Sequence, residues 1–393
     1  MERHPESLCT GIFNDSFPPI MDGVTLTVDN YARGLLRMGL NPCVVTPWNP
    51  CRVEVPYQVV KYFSLPIHNR HPYRYGYPKL DPFIWRRLRR MPFSIVHAHS
   101  PFSAGRLGVY VKKKQGVPLI GTFHSKYRDD LRHSFTGPMS WMVDVIMKRI
   151  LDFFNACDEV WIPQAKVADT VREYGFKGEL TVVDNGNDYA GMGDAELELY
   201  RHESRMKLGM TSGGMNLLFV GQHIFEKGTD VIIRSLGLLR DRTDLRMDFI
   251  GTGYAAEELK HLSQREGVAD RVLFHGVIHD RETLRRHYAA ADLFLFPSMY
   301  DNAPIVVREA AAMGTPSVLP FGCTASEVIE DGVNGFLTQR SPEAYARIIS
   351  RLSSDPRAVR VAAAGARTSL ARSWDDVVEE VADRYQHLIR RNG

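Results

Sequence analysis

Leu217-Leu218-Phe219-Val220-Gly221-Gln222-His223-Ile224-Phe225-Glu226-Lys227-Gly228-Thr229 changes character twice within one short stretch. Four β-prone apolar residues break at Gly221, a polar loop follows, and helical spacing begins at Thr229. An apolar run of this length, ended by glycine and followed by a helix, reads as a strand buried on both faces of a parallel sheet. The pattern recurs downstream. Apolar runs at 247–251, 272–276, 293–296 and 317–319 alternate with helical spacing at 229–240, 255–266, 282–290 and 306–313. Upstream, runs at 9–13, 43–46, 95–99, 119–124, 159–162 and 180–183 alternate with helices at 24–38, 103–114 and 165–174. Strand–helix alternation on this scale predicts an α/β protein of doubly wound parallel sheets with helices on both faces.

The 393 residues exceed what one ordinary core organises. Asp184-Asn185-Gly186-Asn187-Asp188-Tyr189 and Gly191-Met192-Gly193 separate the two series and read as a linker. We therefore expect an N-terminal domain at 1–187, a second at 188–372, and a helix at 373–393 returning towards the first. In open parallel sheets ligands bind beyond the carboxyl ends of the strands. Two such edges facing across a cleft would hold the chemistry.

Composition excludes several classes. The net charge of +3, from 49 basic and 46 acidic residues, gives no global reason to bind nucleic acid. Cys9, Cys43, Cys51, Cys157 and Cys323 are odd in number and show no C-x-x-C spacing, which fits a reducing compartment without disulfide or zinc. No run approaches the roughly 18 apolar residues of a membrane span, and residues 1–6 lack the apolar region of a secretory signal. We expect a cytoplasmic protein, or one held at the cytoplasmic membrane surface.

Phe296–Pro304 and the helix that follows carry the densest chemistry. Asp301 sits in the turn, Asn302-Ala303-Pro304-Ile305 lead into the helix, and Glu309 lies one turn inside it. Free N–H groups at such a helix start suit a diphosphate. A carboxylate at Glu309 can accept both ribose hydroxyls, and Asp301 those of a transferred sugar. Lys227, just before its own helix, can neutralise a diphosphate leaving group. Gly251-Thr252-Gly253 forms a further tight turn, a weak dinucleotide signal without a third glycine. The plainer alternative makes Asp301 a turn cap and Glu309 and Lys227 surface residues favoured by helix dipoles.

Together with Gly314-Thr315-Pro316 and Ser326–Leu337, these motifs resemble the retaining glycosyltransferases of family 4, whose GT-B fold pairs two Rossmann-like domains. The likeness extends over nearly the whole chain. It implies that an acid-x7-Glu pair holds a nucleotide diphosphate sugar, that an Arg-x4-Lys pair holds its diphosphate, and that neither metal nor cofactor takes part. Glu309 then binds the ribose, Asp301 the sugar and Lys227 the diphosphate. Two residues depart from the pattern: Asp301 stands where Glu is usual, and Gln222 where the arginine is expected. Arg308 and His223 are candidates to compensate.

In the N-terminal half, the resemblance points to the loop at 14–25, where Gly23 would admit the donor diphosphate close to backbone. It also singles out His124, within Gly121-Thr122-Phe123-His124-Ser125, for hydrogen bonds to the donor sugar. We place Asp15, Asp22, His99, Ser125 and Lys126 on the acceptor side. The implied reaction is hexosyl transfer with retention by front-face attack, to a lipid or saccharide acceptor.

The aromatic and basic run at 72–79, the cluster Phe83–Arg90 and an amphipathic helix at 139–154 would together seat the chain on an anionic membrane. A buried crossover helix beside a solvated basic face is the alternative. Other activities on the same architecture are a nucleotide-sugar epimerase or a non-catalytic nucleotide-sugar-binding subunit. A pyridoxal-dependent phosphorylase is disfavoured, because no lysine follows Lys260.

Overall fold

A computed structural model describes residues 8–20, 22–67, 73–135, 137–210 and 213–392; residues 1–6, Met21, Pro72 and Gly393, in stretches read above, lie outside them. The chain forms two compact units. One comprises Met1–Asn185 with Trp374–Gly393, the other Gly186–Ser373.

The first unit is built on β1 (Cys9–Phe13), β2 (Asn41–Pro47), β3 (Gln58–Tyr62), β6 (Ile95–Ala98), β7 (Leu119–Thr122), β8 (Glu159–Ile162) and β9 (Thr181–Val182). These pair in parallel in the order β3-β2-β1-β6-β7-β8-β9. A short antiparallel hairpin, β4 (Ser64–Pro66) and β5 (Arg74–Gly76), stands apart from that sheet. The helices are α1 (Gly23–Arg37), α2 (Pro82–Arg90), α3 (Ser103–Gln115), α4 (Tyr127–Ser134), α5 (Trp141–Ala156) and α6 (Val167–Glu173).

The second unit pairs β12 (Val272–Phe274), β11 (Leu245–Ile250), β10 (Met215–Val220), β13 (Leu293–Leu295), β14 (Ser317–Pro320) and β15 (Phe336–Thr338), in that order and in parallel. Its helices are α7 (Asp194–Lys207), α8 (Thr229–Leu238), α9 (Ala256–Arg265), α10 (Arg281–Ala290), α11 (Ile305–Ala312), α12 (Pro342–Ser353) and α13 (Pro356–Leu370). Each unit buries its own core. Val45, Val96, Leu107 and Phe154 fill the first, and Phe219, Phe249, Phe294 and Tyr288 the second.

A final helix, α14 (Trp374–Asn392), belongs to the first unit and lies against α1. Gly34 makes that approach possible, since a Cβ there would stand 2.8 Å from the Val378 side chain. Trp374 meets Tyr31 edge-on at 6.1 Å, and Tyr385 stacks on Trp161 at 6.0 Å.

Both sheets reverse strand order at one place, between β1 and β6 and between β10 and β13. Such switch points open a crevice beyond the strand ends, where ligands bind. The residues singled out from the sequence fall after these four strands and their neighbours.

The α5 face read as a candidate membrane surface is largely core: Val143, Met147, Ile150, Phe153 and Phe154 are buried. That helix is a crossover packed on the sheet, leaving Trp141 (64% exposed) and Val145 outside.

Candidate active site

In the second unit, Gly221 follows β10 and Phe296–Ser298 follow β13, so the two loops flank the switch point. Lys227 ends a short 3-10 turn, and Gly228 then takes a left-handed conformation (φ 70°) before α8 begins. A side chain at Gly228 would collide with the Pro297 carbonyl at 2.8 Å, so glycine lets the two loops touch. That closeness brings together two residues read separately above: Lys227 Nζ donates to Asp301 Oδ1 at 3.0 Å. The pair is mostly withdrawn from solvent, with side chains 13% and 19% exposed. The Ser298 hydroxyl donates to the other Asp301 oxygen at 2.6 Å, and the ammonium lies 5.5 Å from the centre of the Phe296 ring. Asp301 is thus held by an ion pair and a hydroxyl, with Lys227 parked on the acid it was expected to work beside.

Pro304 precedes α11 without a side-chain cap, leaving the helix start open to an anion. Asn302 and Ile305 are buried there, and Ala303 is half-buried. Glu309, one turn in, is 3% exposed. Its Oε1 accepts from Arg281 at 2.6 Å and its Oε2 from the Tyr288 hydroxyl at 2.8 Å. Neither partner was singled out from the sequence. Burying a carboxylate demands such partners, but at 28 and 21 residues' distance no spacing rule reveals them.

The glycine turns lie against one another. Gly251 has φ 128°, and a Cβ there would sit 2.0 Å from the Gly221 carbonyl oxygen; one on Gly253 would sit 2.4 Å from that of His223. The Gly221 amide donates to Ile250, that of Gly251 to Gly276, and that of His223 to Thr252. Gln222 is exposed in this turn. His223 is buried against Phe249 and Phe274, and burial holds its pKa down to about 4, so it does not supply the missing positive charge. Arg308 is buried too, at 5% exposure.

In the first unit, Asp15 follows β1 and His99-Ser100 follow β6, again flanking the switch point. Asp15 accepts from the hydroxyls of Ser100, Ser103 and Tyr62 and from the Ala104 amide at the start of α3. It stitches the two strand ends together. Asp22 caps α1 by accepting from the Thr25 amide at 2.7 Å, and it also accepts from the Tyr73 hydroxyl. Gly23 is the first residue of α1. Both acids placed on the acceptor side therefore hold local structure.

The histidines form a column. His97 and His99 stack at 4.1 Å, His99 and His124 at 5.2 Å, and His99 Nδ1 lies 3.0 Å from His124 Nε2. His97 bridges Thr122 (2.6 Å) and Tyr385 of α14 (2.7 Å). Burial pushes all three pKa values down, that of His124 to about 4, so the column is neutral at pH 7. Ser125 and Lys126 follow, half-buried, before α4.

Among the described residues, Asp248, His275 and His287 bring metal-ligand-type atoms within 4.8 Å of one another. Arg246 Nε donates to the same carboxylate at 3.2 Å, beside His275 at 3.1 Å. A guanidinium there satisfies the oxygen and repels a second cation, so the cluster reads as polar contacts around the buried Asp248 carboxylate, with His275 at the surface.

On α2 the outer face is Phe83 (79% exposed) with Arg86, Arg87, Arg89 and Arg90, all four of them exposed. Leu80 (65% exposed) precedes it, and Phe63, Leu65, Tyr75 and Tyr77 are exposed on and beside the hairpin. Asp81 caps α2 and accepts from the Phe63 amide, joining the two features.

Solved structures of the same architecture define the fold. Anabaena HepE, crystallised with UDP and glucose, superposes with a TM-score of 0.76 at 18% identity, over 97% of this chain and 99% of that one. Sucrose-phosphate synthase from Thermosynechococcus elongatus gives 0.80 at 17% identity, over 98% and 100%. The fold is GT-B. The family described as Glycosyl transferases group 1 matches residues 214–355, and that described as Glycosyltransferase Family 4 matches residues 21–190. Alpha-monoglucosyldiacylglycerol synthase of Streptococcus pneumoniae is 25% identical over 88% of this chain and 78% of its own length. D-inositol 3-phosphate glycosyltransferase of Streptomyces griseus is 29% identical over 77% and 68%. The chain belongs to glycosyltransferase family 4.

Proposed function

We propose that this glycosyltransferase moves a hexose from a UDP- or GDP-linked donor to a lipid or saccharide acceptor, with retention and without a metal ion or other cofactor. The observation that carries the proposal is the Lys227–Asp301 pair at the β10/β13 switch point, next to the open start of α11 and to Glu309. A donor diphosphate draws Lys227 from Asp301, takes the N–H groups at the start of α11 and packs against the bare backbone of Gly251 and Gly253. Glu309 takes the ribose hydroxyls. Asp301, released, accepts from the sugar hydroxyls.

The bond from C1 to the phosphate oxygen breaks as the acceptor oxygen forms its bond on the same face. The acceptor's proton passes to the leaving diphosphate oxygen. Charge develops mainly on that diphosphate, so a preorganised Lys227 is the main electrostatic contribution. The relative named for glucosyldiacylglycerol synthesis supports the lipid alternative. The arginine face of α2, with Phe83 and Leu80 beside it, supports docking of the chain on an anionic, cytoplasmic membrane surface.

The test is a thermal-shift screen of nucleotide diphosphates and their sugars in EDTA. A ligand that binds only the folded chain raises Tm, so one nucleotide family should stabilise it selectively. No shift with any of them would refute the donor-site reading, and a strict divalent requirement would refute the metal-free one.

A further inference from the structure

Glu309 is the most enclosed acid of the proposed donor site, and its two oxygens are held differently. Oε1 takes an N–H of Arg281 at 2.6 Å; Oε2 takes the Tyr288 hydroxyl at 2.8 Å. Arg281 is itself fixed. Asp280 caps α10 and so sets Arg281 as its first residue. The guanidinium lies 4.7 Å over the Tyr189 ring, and the same Nη2 donates to Asp188 at 2.8 Å. The Tyr189 hydroxyl then donates to the Arg281 carbonyl at 3.1 Å.

We propose that Arg281 is a positioning residue that sets the Glu309 carboxylate for the 2′- and 3′-hydroxyls of a ribose, so that with Tyr288 it determines selectivity for ribonucleotides. The proposal rests on the reading of Glu309 as the ribose acid. A carboxylate held by one donor on each oxygen keeps acceptor capacity on both for a further donor, and two adjacent hydroxyls match that spacing. An anchor at one oxygen alone would leave the group free to rotate, and the second hydroxyl contact would be lost. A fixed guanidinium also offsets the cost of burying the acid before any nucleotide arrives.

The experiment is calorimetric titration of UDP and GDP, each against its 2′,3′-dideoxy counterpart, into wild type, R281M and R281K, with thermal melts to confirm folding. In wild type the ribonucleotide of the accepted base binds more tightly than its dideoxy form. In R281M that ribonucleotide weakens about tenfold or more, the scale of a charged hydrogen bond, while the dideoxy form stays within about twofold. R281K, which keeps the charge, recovers part of the loss, and it carries the test should R281M fail to fold.

Undiminished ribose preference in R281M overturns the proposal alone. So does an equal loss for both nucleotides, which would mark a general structural role. A wild type that binds both forms equally overturns the reading of Glu309 and the proposal with it, and that result appears before any variant is made.

Discussion

Lys227 cannot at once neutralise a diphosphate and remain fully committed to Asp301, and this competition makes Asp301→Asn informative. At 3.0 Å and an effective dielectric constant near 20, the pair's Coulomb attraction is roughly 5 kcal/mol before desolvation. Charged hydrogen bonds leave about 1.5–3 kcal/mol net. The substituted amide would keep its hydroxyl partner Ser298 but release the ammonium. Binding of the nucleotide diphosphate should therefore tighten, by about tenfold for 1.4 kcal/mol. Transfer should slow at least tenfold, because the contact to the sugar is weakened.

Lys227→Ala should behave oppositely, weakening diphosphate binding and lowering kcat/KM by roughly 10²–10³, as loss of one preorganised charge contact does. In the Lys227→Ala background, Asp301→Asn should no longer tighten binding. Titration calorimetry across this double-mutant cycle, with single-turnover transfer assays, measures each arm. If Asp301→Asn weakens binding as much as Lys227→Ala does, or tightens it equally without Lys227, the competition argument is wrong.

Gln222→Arg restores the charge expected beside the diphosphate and should lower donor Kd severalfold; weaker binding would mean the turn is built around glutamine. Gly251→Ala must meet both φ 128° and the Gly221 carbonyl at 2.0 Å, so a loss above about 2 kcal/mol, or a Tm drop of roughly 5 °C or more, is expected by scanning calorimetry. His124 has its pKa held near 4 by burial, whereas an unfolded histidine titrates near 6.5. The unfolded chain therefore binds more protons between those values, and stability should fall as pH drops from about 6.5 to 4. His124→Asn should flatten that dependence in urea melts at stepped pH. Phe83→Ser combined with Arg86→Gln, Arg89→Gln and Arg90→Gln should abolish salt-sensitive cosedimentation with phosphatidylglycerol vesicles, at about 1 kcal/mol per arginine.

The strand ends were legible because apolar runs stop at turn-forming residues: Gly221, Gly251 and, ahead of Asp301, Pro297. Alternation placed each of them at the edge of a parallel sheet, and the resemblance gave the fold. Other features escaped for specific reasons. The helix α2 buries only Ile84 and Leu88, an i, i+4 pair too sparse to stand out among four arginines. The hairpin strands are three residues each, below the length at which alternation is readable. The helices α12 and α13 did carry signals, since Ser341-Pro342 and Asp355-Pro356 are cap-and-proline starts. The partners of Asp15 could not be read from the sequence, because Ser100 and Ser103 lie 85 and 88 residues away. Arg281 was invisible for the same reason: a partner chosen by tertiary packing leaves no trace in local spacing.

The return of α14 to the first unit leaves that unit incomplete until residues 374–392 have been made. Residues up to 185 emerge first, yet His97 and Trp161 wait for Tyr385, and Tyr31 waits for Trp374. The unit at 186–373 contains all of its own strands and borrows no later segment. A chain released after Ser373 would therefore keep every strand and helix of the second unit while its first unit lacked α14, with the apolar seats of Val377, Val378 and Val381 left open to chaperones.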